Sequence, residues 1–299
     1  MSAALHQIII IFAAIITGFV CRKTNIIDEK GTGVLSNVVI KVILPFYLFN
    51  AIACSKANVS ADGVFTAIGL SAAMFALSGL IAFAFAKLTK APKNDSGVYM
   101  FELLCANVTY IGIPVCTAIL GEEAAFYASL LNIPFNLLCF SLGIFLLCGK
   151  FSLKRILNPA FISGVIGCIF FVSGIKIPAV LSDACSFIGQ ATSPIAMLVI
   201  GLVLGSANIK EIFGEWRAIP YVAVRLFGIA ALVLLLTASL NIDPALRGVL
   251  VIMAAMPAAT NSTMLCTIYG GNRELSAKLI FISTALSIVS IPLWAMYFS

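Results

Sequence analysis

Two stretches of the 299-residue chain concentrate side chains that can bind a ligand without reacting with it. The first reads CANVTYIGIPV and holds Asn107, Thr109, Tyr110, Gly112 and Pro114. The second reads AAMPAATNSTMLCTIYGGN and holds Pro257, Thr260, Asn261, Ser262 and Thr263. Amides and hydroxyls donate and accept hydrogen bonds at no fixed charge, which suits them to an oxyanion or a small cation. Chemistry that makes or breaks bonds needs more. The single histidine, His6, stands at the N-terminal end, so a Ser-His-Asp triad at these stretches is excluded. There is no H-E-x-x-H, no Walker A stretch and no pair of aspartates deep in apolar sequence. An enzyme is not expected.

The elements that carry these residues are dictated by composition. The chain is 62% hydrophobic and 10% charged, with a mean hydropathy of +1.12. Soluble domains are about 45–50% apolar and about 25% charged, so most of this protein must have lipid for solvent. An outer-membrane barrel needs alternating strands of roughly 10 residues, whereas 8–20 and 230–236 are unbroken apolar runs. The expected fold is therefore all-α and polytopic. Ten spans are expected at about 5–21, 34–54, 64–86, 98–120, 124–148, 159–174, 180–205, 218–240, 245–269 and 275–298. The nine cysteines contain no C-x-x-C pair and read as small core residues rather than a disulfide or zinc framework. With no Lys or Arg before the first apolar run, that run reads as a retained helix and not a signal peptide.

Lys and Arg are distributed unevenly. The odd-numbered connections carry thirteen of them, including Arg22, Lys23, Lys87, Lys90, Lys93, Lys150, Arg217 and Arg273, and the even connections only Lys56, Lys176 and Arg247. By the positive-inside rule the odd loops face the cytoplasm and both termini lie outside, in a multi-pass protein of the cytoplasmic membrane. The basic residues are scattered through short loops, which excludes a nucleic-acid surface. The basic connection 149–157 divides the ten spans into two sets of five, 1–149 and 150–299. Because five is odd, the two sets enter the membrane with opposite orientation, the arithmetic of an inverted repeat. Pro45 and Pro194, Pro114 and Pro257, and Pro134 and Pro292 occupy matching spans.

Both polar stretches are poor continuous helices. Proline removes one backbone bond and collides with the carbonyl four residues back, and glycine weakens the helix further. The freed groups cannot face lipid; they must be buried in protein or line a wet cavity. If Pro114 and Pro257 each begin a second half-helix, its positive end points at the membrane middle, where it can attract an anion. The competing reading is two kinked helices whose polar residues bind neighbouring helices. Three ionisable residues are candidates for gating or charge. Lys41 and Arg225 lie inside spans, where they either snorkel to the cytoplasmic interface or act on an anion. Glu102, at the start of the fourth span, is either solvated or paired with one of them. Asp183 is expected to be wet, and Asn132, Asn136 and Gln190 either line the cavity or join helices.

The chain resembles the auxin efflux carrier family of membrane transporters and its bacterial malonate- and malate-carrier-like branch. The resemblance runs through ILPFYLFNAIA (43–53), ANVTYIGIPV (106–115), LNPAFISGVIG (157–167), TSPIAMLVIG (192–201), AAMPAATN (254–261) and ISTALSIVSIP (282–292). It implies ten helices with broken, crossing helices four and nine, and a rocking carrier for a carboxylate held near the crossing, with Asn107 contributing. The long midpoint loop of the plant members is missing, so auxin is not implied as substrate. The expected function is secondary active or facilitative transport of a small organic carboxylate by alternating access. The alternatives are a sodium-coupled organic-anion symporter of the bile-acid-transporter type, with Thr260, Ser262 and Thr263 at the ion, and an intramembrane enzyme or non-transporting receptor. No cofactor is expected beyond a coupling proton or sodium ion. The expected partners are the carboxylate and membrane lipid, with a homodimer left open.

Overall fold

The computed structural model describes residues 3–149, 157–206, 216–260, 262–269 and 271–298. Asn261, most of the basic midpoint connection and Lys210 lie outside the described residues. Helices make up almost all of the rest: α1 Ala3–Lys23, α2 Glu29–Ala53, α3 Ala61–Leu88, α4 Lys93–Leu104, α5 Val108–Leu120, α6 Glu122–Leu147, α7 Pro159–Ser173, α8 Ala179–Gly189, α9 Thr192–Ser206, α10 Ala218–Ala238, α11 Pro244–Ala254, α12 Ser262–Tyr269 and α13 Arg273–Phe298. Six helical segments among the described residues are long and apolar enough to cross a membrane, among them α2, α3, α6, α10 and α13. Extended pairing among the described residues is limited to one antiparallel bridge, Ala106 with Ala258.

The distribution of side chains is inverted relative to a soluble protein. Leu80, Phe83, Leu235, Val289 and Met296 are exposed on helix surfaces, while Ser71, Ser78, Asn132, Asn136, Ser283 and Ser287 are buried between helices. Large apolar groups outside and polar groups inside are what a lipid solvent selects. Several buried hydroxyls bond to a carbonyl of the preceding turn, as Ser71 does to Ala67 at 2.6 Å and Ser78 to Met74 at 2.9 Å, so they cost little without water. α1 packs along α9 at backbone contact. A Cβ on Gly18 would stand 2.1 Å from the Leu198 carbonyl oxygen, and one on Gly201 1.9 Å from that of Ile15. Glycine at both positions is what lets these helices touch.

The loops sort to two ends. Arg217 Nε donates to the Thr89 carbonyl at 3.1 Å, Asn272 to Asp95 at 2.7 Å, and Arg273 pairs with Glu29 at 2.9 Å. These contacts gather the first, third, seventh and ninth connections, which carry much of the basic charge, at one end. Lys56, Glu122 and Ser186 come together around one cavity, away from them.

Helix geometry changes near the prolines. Four widened turns depart from regular helix: Val39–Ile43, Cys139–Gly143 and Val224–Gly228 interrupt α2, α6 and α10, and Val108–Gly112 opens α5. The first two each end two residues before a proline, Pro45 and Pro114. Leu44 N–H reaches back to the Val39 carbonyl and Ile113 N–H to that of Val108, one residue beyond the usual partner. The longer loop makes room where a proline ring would strike the carbonyl four residues back.

Candidate functional site

The fourth and ninth apolar runs both break, and the breaks bond to each other. α4 stops at Leu104 and α11 at Ala254, each followed by extended backbone. Asn107 N–H donates to the Pro257 carbonyl at 2.8 Å, and Ala259 N–H donates to that of Cys105 at 3.1 Å. Ala258 N–H donates to Ser283 Oγ at 3.2 Å. Backbone groups that would be intolerable against lipid thus satisfy one another at the centre of the bundle. The half-helices do not start at the prolines, contrary to the expectation from sequence. α5 starts at Val108, because Asn107 turns the chain with φ −78° and ψ 58° and its Oδ1 accepts the Tyr110 N–H at 3.2 Å. α12 starts at Ser262, because Pro257 is spent in the extended pairing.

Arg225 explains why the first halves can end in the interior. Its place along the span favours a snorkelling arginine, yet Arg225 is 1% exposed. Its Nε donates to the Met256 carbonyl at 2.8 Å, Nη1 to Leu103 at 2.7 Å and Nη2 to Ala254 at 2.5 Å. One guanidinium therefore caps the carbonyl ends of α4 and α11 together, where helix dipoles are negative. Trp294 Nε1 donates to the adjacent Leu226 carbonyl at 2.9 Å and braces the widened turn that carries Arg225. Lys41, by contrast, is exposed.

On one side of the crossing lies a small cavity of about 30 Å³, lined by Asn107, Thr109, Tyr110, Asn136 and Thr260 together with Ile40, Leu44 and Phe135. The Tyr110 N–H fixes which end of the Asn107 amide is oxygen, so Nδ2 is the free donor; it is buried and has no hydrogen-bond partner among the described residues. Thr109 donates to Asn132 Oδ1 at 2.9 Å, Asn136 Nδ2 to the Asn132 carbonyl at 2.7 Å, and Asn158 Nδ2 to Asn136 Oδ1 at 3.1 Å. Asn132 and Asn136 therefore do both things weighed for them: they join helices, and Asn136 lines the cavity. Tyr110 Oη lies 2.9 Å from Ser36 Oγ, tying α5 to α2. Gly112 is not part of this lining; a Cβ there would stand 2.4 Å from Met253 Sδ, so its role is close packing of α5 on α11. A space this small holds a water or two and no larger ion.

A second cavity, about 830 Å³, is open to the surface and lined by Tyr47, Asn50, Lys56, Pro114, Thr117, Glu122, Gln190 and Met197 among others. Ile40 and Leu44 line the small cavity, and Tyr47 and Asn50 line the large one, so successive turns of α2 face the two spaces. Tyr110 and Pro114 stand in the same relation on α5. The wall between is about one helical turn thick, roughly 5 Å.

Ser262 and Thr263 belong to a different cluster. Ser262 Oγ donates to Glu102 Oε1 at 2.5 Å, Ser276 Oγ to the same oxygen at 2.7 Å, and Thr263 Oγ1 lies 3.4 Å from Ser276 Oγ. Glu102 is fully buried, which overturns the solvated alternative, and its hydrogen bonds are to serines rather than to Lys41 or Arg225. Ser276, in the polar first half of α13, is missed by a reading that looks for breaks, since it stands in an unbroken helix. Asp183 is exposed.

An all-helical bundle with apolar faces outward, paired helix breaks inside and a deep cavity above them is a polytopic membrane transport protein. The membrane transport protein family matches the chain over residues 3–150 and 144–295, and the chain belongs to this auxin efflux carrier family. An uncharacterized transporter of Methanocaldococcus jannaschii is 27% identical over 96% of each chain. A Rhizobium meliloti protein named "Putative malonate transporter" is 23% identical over 94% of this chain and 91% of its own. The protein is a multi-pass transporter and not an enzyme.

Proposed function

We propose that this chain carries a small organic carboxylate across the cytoplasmic membrane by alternating access. The observation that carries the reading is the Asn107 amide, buried without a partner for Nδ2, in a cavity one helical turn from an open vestibule. An unpaired buried donor costs about 1–3 kcal/mol, and a carboxylate oxygen removes that cost. Thr260 borders the same space, and neutral donors bind an anion without the desolvation cost of a buried cation. The start of α5 lies beside it and adds a positive dipole end. The name of the Rhizobium meliloti relative agrees with a carboxylate of malonate size.

In this reading the chain spans the membrane ten times as two inverted sets of five helices, 1–149 and 150–299. The basic loop end faces the cytoplasm, and the vestibule with Lys56 and Glu122 opens outside. The anion enters the vestibule, the wall formed by Leu44, Tyr47, Tyr110 and Pro114 retracts, and the small cavity widens to admit it. Rocking of the crossing against the rest of the bundle then exposes the site at the opposite end. The test is uptake of radiolabelled mono- and dicarboxylates by proteoliposomes holding the purified protein. Saturable uptake of one class, with weaker apparent affinity in Asn107→Ala, is expected; protein that stays folded and moves no carboxylate under any gradient would overturn the reading.

A further inference from the structure

The oxygen cluster around Glu102 lies apart from the cavity assigned to the carboxylate. Its members come from three elements: Glu102 from the last turn of α4, Ser262 and Thr263 from the first turn of α12, and Ser276 from α13. The Ala259 carbonyl oxygen joins them at 2.8 Å from Ser262 Oγ, as an alternative acceptor for its one proton, and Ser262 Oγ lies 3.1 Å from Ser276 Oγ. Carboxylate, hydroxyl and unwound carbonyl oxygen, converging with one formal negative charge, are the donor set of a hard cation. A second observation points to a ligand: Glu102 is fully buried, yet Oε2 has no hydrogen-bond partner among the described residues.

Arg225 does not discharge this carboxylate by contact, because its Nε, Nη1 and Nη2 are committed to the Met256, Leu103 and Ala254 carbonyls. The other titratable groups in the electrostatic field of Glu102 among the described residues are Cys105 just past the end of α4, Tyr221 on α10 and Cys266 on α12, none of them a cation. Glu102 also stands where the C-terminal dipole of α4 opposes an anion and favours a cation.

We infer that Glu102, Ser262 and Ser276 form the binding site of a coupling monovalent cation, sodium or a proton, distinct from the carboxylate site and linked to it through the crossing. The link is covalent and short. Glu102 is five residues before Asn107, and Ser262 two residues after Thr260. A cation held between them ties the first half of one broken helix to the second half of the other, and so biases the arrangement that binds the anion. When the cation is sodium, Ser262 turns its one proton to the Ala259 carbonyl and its lone pairs to the ion. When it is a proton, the Glu102 carboxyl carries it and becomes neutral.

This inference rests on the carrier reading for its coupling but not for its binding, and the experiment separates the two. Thermal unfolding of the purified protein in detergent, in sodium chloride against choline chloride at equal ionic strength, tests sodium without any substrate. Saturable stabilisation by sodium is expected in the parent and in Asn107→Ala, about tenfold weaker in apparent affinity in Ser276→Ala and absent in Glu102→Gln. The proton arm uses sodium-free vesicles containing a pH-sensitive dye. Carboxylate entry that changes luminal pH in the parent, and proceeds without that change in Glu102→Gln, identifies the proton. Carboxylate transport that is indifferent to both cations, with no sodium stabilisation, overturns the inference and leaves the carrier reading intact. Sodium stabilisation that depends on Glu102 in a protein that moves no carboxylate overturns the carrier reading alone.

Discussion

At the scale of single residues, Asn107 and Arg225 divide the work of the crossing. Asn107, which lines the small cavity, uses Oδ1 to start α5 and leaves Nδ2 buried without a partner among the described residues. Asn107→Ala removes both, and carboxylate affinity measured on the purified protein should fall roughly tenfold to a hundredfold, as expected for about 1–3 kcal/mol of lost hydrogen bonding. Asn107→Asp keeps the cap but sets two anions against each other in a low-dielectric space, so binding should vanish while the melting temperature stays close to the parent's. Unchanged affinity in a folded Asn107→Ala protein would make this amide helix glue alone. Arg225 has the opposite signature. Arg225→Gln, with two N–H donors on a shorter side chain, leaves at least one of the three carbonyls without a donor, at about 1–3 kcal/mol for each one lost. Detergent-solubilised protein should melt well below the parent or fail to accumulate. A variant of normal stability that has lost only anion binding would place the arginine in the substrate site instead.

At the scale of elements, the breaks depend on close packing as much as on proline. α5 lies on α11 at Gly112, where a Cβ would stand 2.4 Å from Met253 Sδ and 3.4 Å from Met256 Cγ. Gly112→Ala should therefore push the crossing apart and lower the transport rate at least about tenfold, an overpacking cost of about 1–3 kcal/mol. Met253→Ala in the same chain removes the obstructing side chain and should restore much of the rate. Failure of that rescue, with both proteins folded, would mean that Gly112 serves backbone flexibility rather than packing. The widened turns at Val39–Ile43 and Val108–Gly112 show how proline is absorbed without ending a helix: the turn lengthens before it. Pro134 and Pro292 lie inside helices too, and the widened turn in α6, at Cys139–Gly143, follows Pro134 instead; the structure offers no common cause.

At the scale of the whole molecule, loop contacts and cavity define two ends. Cys54 lines the vestibule and is partly exposed, and Asn94 lies in the basic end near Asp95, which Asn272 contacts. In a background whose other cysteines are serine, an impermeant thiol reagent applied to intact cells should label Cys54, and Asn94→Cys in the same background without Cys54 should stay unlabelled. The reverse pattern would invert the orientation. Saturating carboxylate should slow labelling of Cys54, because the anion must pass through the same space.

What the sequence determines by itself is what one-dimensional chemistry can report. Hydropathy names lipid as the solvent, because the count of apolar residues leaves no alternative. The polar, proline-bearing stretches around 106–114 and 254–263 mark the neighbourhood of two helix breaks, although Pro114 itself lies inside α5 and only Pro257 stands in extended backbone. Asn107, Thr109, Tyr110 and Thr260 do border one cavity. The tertiary structure alone decides which freed group meets which. Arg225 reads as a snorkelling residue, since its distance from a span end permits that; only the convergence of Leu103, Ala254 and Met256 carbonyls makes burial cheaper than escape. Ser262 and Thr263 read as neighbours of Thr260 in one site, but a helical turn rotates them onto Glu102, a partner 160 residues away for Ser262. Ser276 carries no local signal at all. Its role exists because α13 passes the crossing at that height, and the separation along the chain holds no record of that meeting.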